Sequence, residues 1–155
     1  MAYWLMKSEP GVFSIDDLAQ SPRKTTHWDG VRNFQARNFM RDEMLRGDLA
    51  FFYHSSCDEP GVAGIVKIVK QGYPDHTAFD KDDAHFDPDS DPAAPRWYMV
   101  DVQLQRKFRN TVALAALREH AQGALHGLAL LKRGNRLSIT PVSAAHWKFI
   151  VELAK

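Results

Sequence analysis

The sequence predicts an α+β domain, a curled sheet or small barrel with helices packed around it. Three observations carry that reading. Trp97–Phe108 alternates apolar and polar side chains, Leu49–His54 is an unbroken apolar and aromatic run, and Ala36, Phe39, Met40 and Met44 recur at helical spacing. Strands and helices intermix with no regular βαβ alternation. The 155 residues suit one domain with a real core, and no repeat, low-complexity tract or long linker divides them.

Taken in order, Tyr3–Lys7 is a short strand stopped by Glu9-Pro10-Gly11. Ser14 with Asp17 three residues on marks a helix start, and that helix runs to about Gln20 before Ser21-Pro22 breaks it. The Asp29-Gly30 turn leads into a long helix ending near Gly47. On it Asn33, Arg37 and Arg41 stack along one side, while the apolar stripe faces inward. Leu49–His54 reads as a strand covered on both faces, and Val62–Val69 as another, inside which Gly64 marks a close approach. In Trp97–Phe108, Tyr98, Val100, Val102, Leu104 and Phe108 share one face, and Trp97 and Met99 fall on the polar one. Thr111 is expected to cap a helix through Leu117 and Arg118, Arg136–Val142 to form a last strand, and Ser143 to cap a terminal helix burying Trp147 and Ile150.

Composition narrows the function. No apolar run approaches the ~20 residues needed to span a bilayer, and the N-terminus lacks the features of a secretory signal. With Cys57 as the single cysteine, the expected compartment is cytoplasmic. The net charge of +1 conceals an asymmetry: Asp75–Asp91 carries −6 and the rest of the chain +7. A basic body with one acidic excursion suits a polyanion bound on one side only. Asp87, Asp89 and Asp91 mimic the start of a calcium loop, but Pro92 stands where glycine is needed and Tyr98 where glutamate is, so no metal is expected. His54 and Cys57 are the only candidate nucleophile pair, and nothing in the sequence activates the thiol.

Several short stretches hold the parts of a base-sized site. Lys7-Ser8 and Tyr53-His54-Ser55 end strands with polar groups, and Trp28 and Trp97 are flat surfaces at element boundaries. An enzyme using His54 and Cys57 on a nucleobase or nucleotide, and a small-metabolite or protein-interaction module, remain alternatives to a nucleic-acid binder.

Taken together, Tyr3–Pro10, Trp28–Asn33 with Ala36-Arg37-Asn38, Gly47-Asp48 with Phe51–Ser55, and Arg136–Ile139 with Pro141-Val142 resemble the EVE domain family in order and over nearly the whole chain. The resemblance implies a PUA-like pseudo-β-barrel with flanking helices. It also implies a non-enzymatic reader of a modified base in DNA or RNA; separately, no cofactor and a monomer are expected. Its pocket motifs fall on Lys7, Ser8, Trp28, Val31, Arg32, Asn33, Tyr53, His54 and Ser55, and Trp97 matches the block before the long strand. Arg37, Asn38 and Arg41, with Lys132 ahead of the Arg-Leu-Ser motif, are expected on the nucleic-acid backbone. The expected pocket is deep, walled by Trp28, Tyr53 and Trp97, with Ser8, Asn33 and Ser55 as polar contacts.

Overall fold

A computed structural model describes residues 1–155. Six strands, β1 (Tyr3–Ser8), β2 (Thr25–His27), β3 (Leu49–His54), β4 (Gly61–Pro74), β5 (Tyr98–Ala113) and β6 (Ile139–Val142), form one sheet in the order β2-β5-β4-β3-β1-β6. Four helices accompany it: α1 (Ile15–Gln20), α2 (Phe34–Asn38), α3 (Leu114–Arg118) and α4 (Ala144–Leu153). β1 and β3 run parallel, with Ser8 opposite His54, and every other pair is antiparallel. The sheet curls without closing. β2 and β6 do not pair, so the expected barrel is an open sheet. One edge strand has only three residues, and the other carries Pro141, which has no N–H to offer a further strand.

Alternation along the strands divides the apolar residues between two cores. Trp4 and Met6 of β1, with Ala50 and Phe52 of β3, enter the first core beside Ile15, Leu18, Ala36 and Met40. Leu5, Phe51 and Tyr53 enter the second, beside Leu117 of α3 and Trp147 and Ile150 of α4. There Trp147 stacks on Phe51 at 3.9 Å and on Tyr3 at 4.6 Å. Local signals act as the sequence predicts at both ends of the chain: Ser14 and Asp17 form a reciprocal capping box on α1, and Ser143 caps α4 through the His146 N–H. A Cβ on Gly64 would lie 2.3 Å from Arg106 O and 2.4 Å from Ile15 Cδ1, which is why that strand position needs glycine.

Three elements depart from expectation. The helix predicted to reach Gly47 is short: α2 gives way to a π turn over Phe39–Glu43, closed by the Met44 N–H on Phe39 O. Buried Asp48 accepts from the Ala2 N–H, Trp4 Nε1 and the Leu45 N–H, tying the chain into a turn that a continuing helix could not make. β5 runs on through Thr111, which therefore caps nothing. Val112 and Ala113 pair with Val62 and Gly61, and the Leu114 N–H finds Pro60 O instead of a side-chain cap. Finally, Met99 keeps the face that alternation assigns it, that of Asp101 and Gln103, but is buried there.

Candidate nucleic-acid interface

The ends of β1 and β3 place the candidate residues on opposite faces of the sheet. Ser8 follows Met6 by two residues and His54 follows Phe52 by two, so both side chains lie on the first-core face. There Trp28 packs edge-on against Phe52 at 5.5 Å, and Phe52 edge-on against His54 at 5.5 Å, making a row of three rings in the core that also buries Val31. Lys7 and Tyr53, paired across the same two strands, point to the second-core face. Burial pushes the Lys7 amine down and the Tyr53 phenol up, the latter opposed by nearby Arg118.

The first-face pair has a defined hydrogen-bond polarity. His54 Nε2 accepts the Ile15 N–H at 3.1 Å, and burial lowers its pKa, so the neutral ring carries its proton on Nδ1 and offers a donor there. Ser8 Oγ gives its only proton to Phe13 O at 2.6 Å, leaving lone pairs as acceptors. Asn33 Oδ1 caps the Ala36 N–H at 3.0 Å, leaving its amide nitrogen as a donor on an exposed residue. The Ser55 N–H closes the strand ends onto Ser8 O at 3.0 Å.

Arg32 is not free to meet a ligand. Its guanidinium donates to Asp75 Oδ2 at 3.0 Å, to Thr77 Oγ1 at 3.3 Å and twice to His85 O. Asp75 is fully buried and also accepts from the N–H groups of Gly30 and Thr77. Burial pushes its carboxyl up, but the hydrogen bonds from Thr77, Gly30 and Arg32 outweigh that and hold it below the usual range. The acidic segment is therefore a clamp on the Trp28–Asn33 motif. Gly30, at φ +79°, completes it: a Cβ there would lie 2.6 Å from the His85 ring.

Trp97 belongs to the same clamp. Its Nε1 donates to Asp87 at 2.6 Å, which holds the Asp87 carboxyl below its usual range, and its ring stacks on Phe34 at 4.8 Å. The expected pocket walled by Trp28, Tyr53 and Trp97 is accordingly not formed. Trp28 sits in the first core, Tyr53 across the sheet in the second, and Trp97 against Phe34. Cavities of about 490 and 400 Å³ lie elsewhere, at Asp58–Pro60 with Arg118 and at Gln122–Leu128 with Lys132. Lys132 lines a cavity with Leu125 and Leu128 of the second core. Arg37 is fixed by Asn38 Oδ1 and Arg96 O, whereas Arg41 is exposed and paired with its neighbour Asp42.

The partners that complete this region, Phe34, Asp75, Thr77, His85 and Asp87, escaped the sequence reading. Asp75 and Asp87 look like any other acids of the loop, and only the fold brings them 43 and 10 residues along the chain to Arg32 and Trp97. Asp29, Asp83 and His85 are the one group spaced for a metal ion, with donor atoms within 4.8 Å of one another. Those spacings, 3.5 and 3.3 Å from His85 Nδ1, are equally those of a histidine held between two carboxylates. His54 Nε2 is occupied by Ile15, and no hydrogen bond joins His54 to Cys57.

A family model for the EVE domain matches residues 2–153, which decides the family. The chain belongs to the EVE domain family. Human thymocyte nuclear protein 1 is 48% identical to it, over 98% of this chain and 73% of that protein. Human THYN1, solved in complex with 5-methylcytosine-containing DNA, superposes with a TM-score of 0.94 at 48% identity, covering 100% of this chain and 98% of that one. A Pseudomonas putida protein superposes equally well, at 45% identity over 99% of this chain and all of that one. The PUA-like architecture of this EVE domain is thus shared with solved structures, as an open curled sheet with four helices. No helix is long and apolar enough to cross a membrane.

Proposed function

We propose that this EVE domain is a non-enzymatic, monomeric module that binds a modified base in DNA. The observation that carries the reading is the juxtaposition of Ser8 and His54, an acceptor beside a donor, at the ends of two paired strands, on the face whose core holds Trp28 and Val31. An amino-bearing base such as cytosine shows the complementary pattern, an exocyclic N–H next to a ring-nitrogen acceptor. An added methyl group is apolar and suits the Val31 and Trp28 side chains. The human relative bound to 5-methylcytosine-containing DNA supports this choice of nucleic acid and of modification. Arg41 supplies a backbone contact. Its exposed pair with Asp42 contributes little, so exchanging it for a phosphate costs little. The nuclear name of the relative belongs to that protein; for this chain the reading requires only a compartment that holds nucleic acid.

The test is binding to oligonucleotides with one 5-methylcytosine, to unmodified duplexes and to matched RNA. Preference for the modified DNA is expected. Ser8→Ala and His54→Phe should each lower that affinity about two- to twelvefold, the loss of one hydrogen bond. Cys57→Ser should leave it unchanged. Equal affinity for modified and unmodified strands, or turnover of a nucleoside that Cys57→Ser abolishes, would overturn the reading.

A further inference from the structure

Of the 17 Phe, Trp and Tyr side chains, Phe34 alone is exposed, at 53%. Its surroundings are built, not loose. It is the first residue of α2, directly after Asn33. Its ring lies at 24° to the Trp97 ring, and Trp97 is itself held by Asp87. Arg37 places its guanidinium 4.8 Å from the Phe34 centroid, fixed in turn by Asn38 Oδ1 at 2.9 Å and Arg96 O at 2.7 Å. A large apolar side chain is thus braced from behind and kept in water. That arrangement carries a cost unless an apolar partner arrives. Three residues of chain separate Phe34 from Val31, at most about 11 Å, or about three base steps along a strand.

We propose that Phe34 is a wedge that enters the base stack of a DNA duplex beside the modified base, filling the gap left as that base turns out towards Trp28 and Val31. The proposal rests on the modified-base reading above. Turning a base out of a duplex uncovers the faces of its neighbours, and an apolar side chain inserted there replaces the lost contact. An unpaired strand has no such gap, so Phe34 should matter little to it. Arg37, alongside, adds a cation next to the ring and the phosphates.

The experiment measures wild-type protein, Phe34→Ala and Phe34→Tyr on a duplex with one 5-methylcytosine and on the same modified strand unpaired. Phe34→Ala should weaken duplex binding about five- to 150-fold, the range for losing one stacking contact. It should change single-strand binding less than about twofold, and Phe34→Tyr should restore the duplex. No loss on the duplex, or equal loss on both, overturns the wedge. Should the alanine variant unfold on heating well below the parent, Phe34→Gln, which keeps a stem against Trp97 but no apolar tip, carries the same comparison. If the wild-type protein prefers neither modified substrate over its unmodified control, the modified-base reading falls and the wedge with it. If that preference is present, the duplex-to-single-strand ratio judges Phe34 alone.

Discussion

The Trp28–Arg41 stretch and the Asp75–Asp91 loop carry opposite charges, yet they differ most in which charges reach solvent. In the loop, Asp75 is sealed beneath Arg32, Gly30 and Thr77, and Asp87 is tied to Trp97. Asp80, Asp82, Asp89 and Asp91 stay on the surface, and those among them that bond backbone amides only close local turns. In the basic stretch the pattern inverts: Arg32 is consumed by the loop, while Arg41 remains outside. A local charge of −6 therefore overstates the repulsion a polyanion would meet. The carboxylate nearest the motif is already neutralised and holds the motif in shape.

The largest expected effect comes from breaking the clamp. Asp75→Ala leaves the Arg32 guanidinium three-quarters buried without its partner, at a cost of about 3–5 kcal/mol in urea unfolding. If the loss is under about 1 kcal/mol, the loop is not what holds the motif. Gly30→Ala tests the same joint from the other side. It demands a left-handed backbone of a residue with a Cβ and pushes the His85 ring away, so about 1–3 kcal/mol should be lost and modified-base binding with it.

Acid weakens both the candidate site at His54 and the clamp at Asp75, but in different pH windows. His54 has its pKa lowered by burial, so its contribution is complete above the unfolded value of about 6.5 and declines as pH falls below it. Asp75 is depressed, so its contribution holds above about pH 4 and is lost only as pH falls through its folded value. Urea midpoints at pH 7.5 and 5.5 should therefore drop more for the parent than for His54→Gln, whereas Asp75→Asn should alter the pH dependence only below about 4. The smallest effect is expected at the surface: Asp82→Asn with Asp89→Asn should leave stability within about 0.5 kcal/mol and tighten DNA binding at low salt only. A stability loss comparable to that of Asp75→Ala would erase the distinction between sealed and exposed loop carboxylates.

Caps and periodicities were legible in the residues because they act over three or four positions. The Ser14–Asp17 box, the Ser143 cap, the glycine at position 64 and the both-faces-covered β3 all appear where the sequence places them. The motif blocks that resemble the EVE domain likewise survive as a family. Which face each site residue takes was not legible. Lys7 and Ser8 are neighbours, as are Tyr53 and His54, and a strand sends each member of the pair to an opposite side, so adjacency in a motif scatters residues that a site needs together. The α2 helix was overread for a related reason: the Met40 and Met44 stripe is real, but Asp48 bends the chain by reaching Ala2 and Trp4, more than forty residues away.

By itself, the sequence determined the mixture of strands and helices, the starts of α1 and α4, the two-sided burial of β3 and the family, most of it a consequence of local backbone preference and apolar spacing. The tertiary structure alone decided that the sheet stays open, that Tyr53 and Trp28 face different cores, that Arg32 is a clamp and that Phe34 is the aromatic left in water. Each of those depends on long-range strand register and on pairing between charges tens of residues apart, and burial changes the role of a side chain that composition cannot distinguish.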